Sequence, residues 1–197
     1  MGSDKALLPW PPVPSGRPHA GTFLSAAIAS LSPFSEVVIV VGGKNSALIA
    51  PFVYAAGVSL VVNPEPERGQ FSSLQVGLHD VLNRGRDAAL VTLVDRPPVQ
   101  AGTVTLLCNA FSSALERRKW AVVPETGGRH GHPIVLGREM IEVFLRAPAT
   151  ASAREIEHQY EEHIEYVPVD DPAITVNVNT PEEYAALPVV RPTPSAH

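Results

Sequence analysis

The chain has 197 residues, 45% of them apolar and 18% charged, a size and balance that allow one domain with a full core. Its net charge of −5 argues against a general electrostatic grip on nucleic acid or on an anionic membrane, which requires a basic surface. The single cysteine, Cys108, excludes an intrachain disulfide and a cysteine metal cluster and points to a reducing compartment, so a cytoplasmic protein is expected.

Residues 1–20 lack the continuous apolar run of a signal peptide, and no later run approaches the roughly 18 apolar residues of a membrane span. Proline clusters in "PWPPVPSGRP" near the start and "PVVRPTPSAH" at the end. Both stretches read as extended, with residues 189–197 expected to be a disordered tail behind one domain spanning 1–188. Between them, short β-branched runs alternate with helical patterns, the signature of a doubly wound α/β sheet.

Thr22 is placed to cap a helix over 22–31, and "EVVIVVGG" predicts a strand over 36–43. A helix from Asn45 should kink or end near Pro51. The strand "VSLVVN" follows at 58–63, then the loop "PEPERGQF", after which Ser72 is a cap for a helix to Asn83. Its glycine, serines and free helical N–H groups are suited to an anion or a base edge, although a plain capping loop accounts for them equally.

Residues 87–94 are apolar at nearly every position, as in a strand covered on both faces. Pro97 and Pro98 end it, because neither can donate to a ladder. Asp95 therefore stands at the carboxyl edge, where open α/β sheets bind their ligands, and is the first candidate for chemistry. Lys5, just before an apolar pair, is either a surface lysine or a point charge aimed at phosphate.

A helix is predicted over 103–117, then the strand "WAVVPE" and the turn "GGRHGHP" before "HPIVLG". The turn holds Arg129, His130 and His132 without a third well-spaced metal ligand, so substrate contact or a structural turn is preferred over metal. Helices over 138–146 and 152–159 precede the strand "HIEYVPV" and the run "AITVNVN", which is taken to place Asn177 and Asn179 on one face of a strand. There they are turn formers or neutral oxygen ligands for a hard cation such as Mg2+. Thr180, Pro181 and Glu183 then make a helix start close to a capping box.

The segments "MGSDKALLPW", "NPEPERGQFSSLQVGL", "LVDRPPV", "GRHGHPIVLG" and "VNVNTPEEY", in this order, resemble the MobA-like nucleotidyltransferases, molybdenum cofactor cytidylyltransferases in particular. The resemblance implies a three-layer Rossmann-like α/β fold with a mostly parallel open sheet. It also implies a Mg2+-dependent transfer of an NMP group from CTP or GTP to a phosphorylated acceptor such as molybdopterin, with release of pyrophosphate. Asp95 would ligate Mg2+ with Asn177 and Asn179, and Lys5 would steady the triphosphate. Asn63, Gly69, Ser72 and Ser73 would contact the nucleotide, and Arg129, His130 and His132 the acceptor.

Two departures stand out. Family members begin with a strand and a glycine-rich loop ahead of the segment matched by "MGSDK", so a sheet without its usual first strand is expected here. Asn177 and Asn179 replace an Asp-x-Asp pair, a pattern closer to the guanylyltransferase branch. Alternatives are transfer to a sugar phosphate or another small acceptor, and a non-catalytic nucleotide- or cofactor-binding module that serves a molybdoenzyme.

Overall fold

Capping residues and β-branched runs set the local elements of the computed structural model, which describes residues 4–12, 21–148 and 150–187. The predicted tail and the 13–18 part of the first proline cluster lie outside the described residues. A 3-10 turn, Lys5–Leu7, leads to β1 (Pro9–Trp10) and β2 (Gly21–Thr22), a short antiparallel ladder. Thr22 caps α1 (Phe23–Leu31): its hydroxyl accepts from Ser25 N–H while Ser25 Oγ accepts from Thr22 N–H.

β3 (Ile39–Gly42), α2 (Ser46–Ala55) and β4 (Ser59–Val62) form a parallel βαβ unit. The helix runs through Pro51 rather than ending there. Pro51 and Ala47, whose carbonyl loses its usual donor, are both exposed, so water can serve that carbonyl.

α3 (Gln70–Asn83), β5 (Ala88–Val91), α4 (Ala101–Glu116), β6 (Ala121–Thr126), β7 (Arg129–His130) and β8 (Ile134–Gly137) follow. α5 (Arg138–Arg146), α6 (Ala153–Gln159), β9 (Ile164–Pro168), the 3-10 turn Pro172–Thr175 and α7 (Pro181–Ala185) complete the chain. The run 173–179 is not a strand, contrary to the sequence expectation. Its first residues close the 3-10 turn, and Val178 N–H is taken by the Asp95 carbonyl at 2.8 Å.

The central sheet is mixed. β6 pairs in parallel with β9 and antiparallel with β7 and β8, and β8 joins it to β5. Alternation of side chains then builds three layers. Val38, Val40 and Leu60 face α1 and α2 through Leu24, Ile28, Ile49 and Val53, and Leu90 faces Leu107 and Phe111 of α4. On the other face Ala89 and Val91 meet Leu78 of α3 and Met140, Ile141 and Phe144 of α5. Phe144, Met140 and Ile141 are fully buried, each worth about 1.5–3 kcal/mol of transfer free energy.

Among the described residues, β3 pairs only with β4, and β5 only with β8. A cleft of about 1670 Å3 separates these two edges. Among the described residues no helix is long and apolar enough to cross a membrane.

Candidate active site at the carboxyl edge

β5 delivers the chain to Asp95, and three distant segments meet there. Asp4 caps the Lys5–Leu7 turn by accepting from Ala6 N–H at 2.9 Å, and its other oxygen accepts from Asn45 Nδ2 at 2.8 Å, just beyond β3. That tether places Lys5 so that Nζ donates to Asn179 Oδ1 at 2.9 Å and lies 3.8 Å from Asp95 Oδ2. Asn179 is held in turn by the cap of α7, where Glu183 Oε2 accepts from both Asn179 N–H and Thr180 N–H. The Lys5 and Asp95 side chains are 34% and 20% exposed, a setting in which an ion pair adds little stability. The ammonium is thus available to a ligand anion at small cost.

Three buried polar atoms in this region have no hydrogen-bond partner among the described residues: Asp95 Oδ1, Arg96 Nε and His132 Nδ1. Each costs about 1–3 kcal/mol when unpaired, and such a concentration in one place is a mark of a ligand site. Burial lowers the Arg96 pKa, opposed by the neighbouring Asp95 charge. His132 is pushed down to about 4, first by burial and then by the charge of Arg96, so its ring is neutral near pH 7.

The Pro172–Thr175 turn organises this half of the site. The Ile174 carbonyl accepts from Arg96 Nη1 at 3.1 Å and from His132 N–H at 2.9 Å, and the Thr175 carbonyl from Arg129 Nη2 at 3.5 Å. Gly131 fits here because a Cβ would lie 2.3 Å from the Ile174 oxygen, so the "GRHGHP" glycine permits a close backbone approach. The turn itself hangs on Asp171, which is 2% exposed and accepts from Gln100 N–H, Thr103 Oγ and Ala173 N–H.

The predicted nucleotide loop is well ordered by its own polar groups. Asn63 Nδ2 donates to Ser72 Oγ (2.8 Å) and Ser73 Oγ (3.0 Å), and its Oδ1 accepts from Glu65 N–H at 2.9 Å. Ser72 is not the helix cap. α3 begins two residues earlier behind Gly69, whose φ of +94° favours glycine, and the Ser72 hydroxyl donates back to the Gly69 carbonyl at 2.7 Å. Asn63 and Ser72 are buried and mutually satisfied, so they shape the loop. Ser73 and Gln70 line the cleft instead.

Lys5, Asp95 and Asn179 are therefore brought together, and His132 joins them through Arg96. Asn177 is exposed two residues from Asn179, off any strand. His130 is turned away onto Tyr166, stacked at 4.0 Å, with Nε2 3.3 Å from Glu125 Oε2. It nonetheless lines the same cleft as Arg129, His132 and Glu157, whose carboxyl burial raises above its ordinary range while His130 and Arg154 oppose the shift. Arg96, Asp4, Asn45, Asp171 and Glu157 were not singled out as site residues from sequence. For Arg96 the available signal was a second charge directly after a strand-end carboxylate.

A divalent cation is compatible with this donor set. Among the described residues no group of three or more His, Cys, Asp or Glu forms a self-sufficient cage. A Mg2+-type site, however, needs only one or two carboxylates beside water and substrate phosphate, and the unpartnered Asp95 Oδ1 is a hard oxygen donor of that kind.

Comparison with known proteins identifies the family and the fold. The family model for the MobA-like NTP transferase domain matches residues 1–164. No curated protein matches the sequence. Among solved structures, Rv0371c of Mycobacterium tuberculosis H37Rv is 19% identical at a TM-score of 0.73, covering 94% of this chain and 89% of that one. Its complex with manganese gives 18% and 0.70 over 92% and 89%. Molybdopterin-guanine dinucleotide biosynthesis protein A from Archaeoglobus fulgidus is 15% identical at 0.64 over 93% and 88%. At these identities the structures show a shared fold.

Proposed function

Since this chain belongs to the MobA-like NTP transferase family, we propose that it moves an NMP group from CTP or GTP to a phosphorylated acceptor of the molybdopterin type. The observation that carries the proposal is the meeting of Lys5, Asp95 and Asn179 at the sheet's carboxyl edge, with Asp95 Oδ1 buried and unpartnered. A phosphate oxygen of the acceptor attacks the α-phosphorus of the NTP. The new P–O bond forms as the bond to the β-phosphate bridging oxygen breaks, and pyrophosphate departs with that electron pair.

Such a transfer asks a protein mainly for positioning and for charge opposite the phosphates. Lys5 supplies a mobile point charge, held near the phosphates by the Asp4–Asn45 tether. Arg96 adds a second, partly desolvated cation, whose Nε is free to donate. The neutral His132 ring and Arg129 form the acceptor wall, and the 63–73 loop presents Ser73 and Gln70 to the nucleotide. When bound, a divalent cation such as Mg2+ supplies further charge neutralisation, and Asp95 with the amide oxygens of Asn177 and Asn179 would hold it.

Pyrophosphate release is the test, measured with Mg2+ or Mn2+ and each of CTP, GTP, ATP and UTP, with molybdopterin, a sugar phosphate or no acceptor. Release that requires molybdopterin and either CTP or GTP is expected. A requirement for the sugar phosphate would move the chain to the other acceptor class. Nucleotide binding with no release under any combination would refute transfer. It would favour the binding module, a reading supported by the neutral Asn177 and Asn179.

A further inference from the structure

No charged residue occurs between Lys44 and Glu65, the stretch that forms α2 and β4. From α2, Ile49 and Val53 turn inward and pack with Val40 of β3 and Leu60 of β4, so the helix is seated over both strands. Its opposite face bears Ala47, Leu48, Pro51, Phe52, Tyr54 and Ala55, all of them exposed. A surface helix normally turns charged and polar side chains to water, and one that is apolar all round is ordinarily covered.

The strand beneath this helix is open on one side. Among the described residues β4 pairs only with β3. Ser59 N–H and Asn63 N–H bond the carbonyls of Val38 and Gly42, which leaves the N–H and C=O of the alternate residues Leu60 and Val62 directed away from β3. Val62 also shares the α2 side of the sheet with Leu60, and its side chain is 54% exposed. Edge strands are commonly blunted by lysine, proline or a bulge, and Ser59–Val62 has none of these.

We propose that this surface joins two copies of the chain about a twofold axis, with β4 antiparallel to its own mate and α2 packed on α2. Centred on Val61, such a ladder sets Leu60 of each copy opposite Val62 of the other, and each pair exchanges N–H···O bonds. The helices then meet without further adjustment. Strands lie about 4.8 Å apart, so a helix seated over β3 and β4 stands about one strand spacing from the axis, and the two copies of α2 come about 10 Å apart, their normal packing distance. Leu48, Phe52 and Tyr54 are 53%, 43% and 65% exposed, and with Val62, Pro51 and the alanines they offer roughly 600 Å2 of apolar surface per copy, close to the roughly 800 Å2 per partner of a standard interface. The absence of charge lets the face meet itself without repulsion. An anionic membrane would instead require a basic polar face, whereas the flanks here carry Lys44 at one end and Glu65 at the other. The inference stands independently of the transfer reaction.

Sedimentation velocity of the 197-residue chain over about 1–100 μM is the first readout and residue-resolved amide exchange the second. The mass should rise with concentration from 21.0 kDa to twice that value. Phe52→Glu places like charges across the helix contact and should raise the dissociation constant at least about 100-fold, with the circular dichroism of the parent retained because Phe52 lies outside the core. Val62→Pro removes one outward N–H while leaving the β3 ladder its donors, and should weaken the dimer about tenfold or more. In the parent dimer the Leu60 and Val62 amides should exchange at least about tenfold more slowly than in monomeric Phe52→Glu. A monomer throughout the range would overturn the inference and assign the face to a different protein or to other residues of the same chain. A dimer that survives both substitutions would overturn it as well, as would a dimer in which the Leu60 and Val62 amides exchange as fast as in the Phe52→Glu monomer.

Discussion

Replacing Asp171 by alanine removes the side chain that fastens the site's turn to the start of α4. Its Oδ2 accepts from Gln100 N–H at 2.9 Å and Thr103 Oγ at 2.8 Å, and its Oδ1 from Ala173 N–H at 3.1 Å. Asp171 and Thr103 are 2% and 7% exposed, so the Thr103 hydroxyl left behind is screened from water, while Gln100 lies at the surface. Hydrogen bonds to a charged acceptor contribute about 1.5–3 kcal/mol and a stranded buried donor costs about 1–3 kcal/mol. With some relaxation of the more open Gln100 and Ala173 ends, the loss for Asp171→Ala should be about 3–5 kcal/mol.

Urea unfolding followed by circular dichroism measures it. At a slope of about 2 kcal/mol per M, the midpoint should fall by roughly 2 M. Thr103→Val should cost stability in the parent chain and recover about 1 kcal/mol in the alanine background, because it removes the stranded hydroxyl. A loss below about 1 kcal/mol for Asp171→Ala would refute the reasoning, as would an equal effect of Thr103→Val in both backgrounds. Because the Ile174 carbonyl anchors both Arg96 and His132, the less severe Asp171→Asn should also weaken nucleotide or acceptor binding.

Asp95→Asn keeps the shape of the site but removes its charge, and turnover should drop about 100-fold or more while the fold persists, with unchanged turnover ruling out a role for the carboxylate. For His132 the sign follows from its folded pKa of about 4 against an ordinary 6.5. The unfolded chain takes up the proton first, so the neutral ring's full stability exists above about pH 6.5. Stability falls by about 3 kcal/mol as the pH drops towards 4, and His132→Gln should flatten that part of the stability–pH curve. A parallel curve for the variant would contradict this. Gly131→Ala drives a methyl into the Ile174 carbonyl and should cost about 1–3 kcal/mol and disturb the His132 position, measurable as a lowered Tm and a shifted His132 ring resonance.

What the sequence determined by itself is local. Thr22 and Thr180 start helices where their side chains accept from N–H groups three residues on, a choice made within one turn of chain. The apolar run ahead of Asp95 likewise carries the chain through β5 and sets a carboxylate four residues beyond its carboxyl end, although pairing stops at Val91, well before Pro97 and Pro98. The strand lengths were less legible. Residues 36–43 and 87–94 pair only over Ile39–Gly42 and Ala88–Val91, since a ladder extends no further than its partner.

Tertiary structure decided the rest. Residues 173–179 alternate like a strand, but the Val178 N–H found its acceptor in the Asp95 carbonyl rather than in a ladder, and Asn179 was thereby brought to Lys5 across 174 positions of sequence. Asp171, Gly131 and Arg96 acquire their roles only from the Pro172–Thr175 turn and the strand ends it touches. Nothing in their neighbouring residues encodes a partner more than forty positions away. Capping and turn preferences act over three or four residues and can be read in order, whereas a site at the carboxyl edge is assembled by strands that are neighbours in space and strangers in sequence.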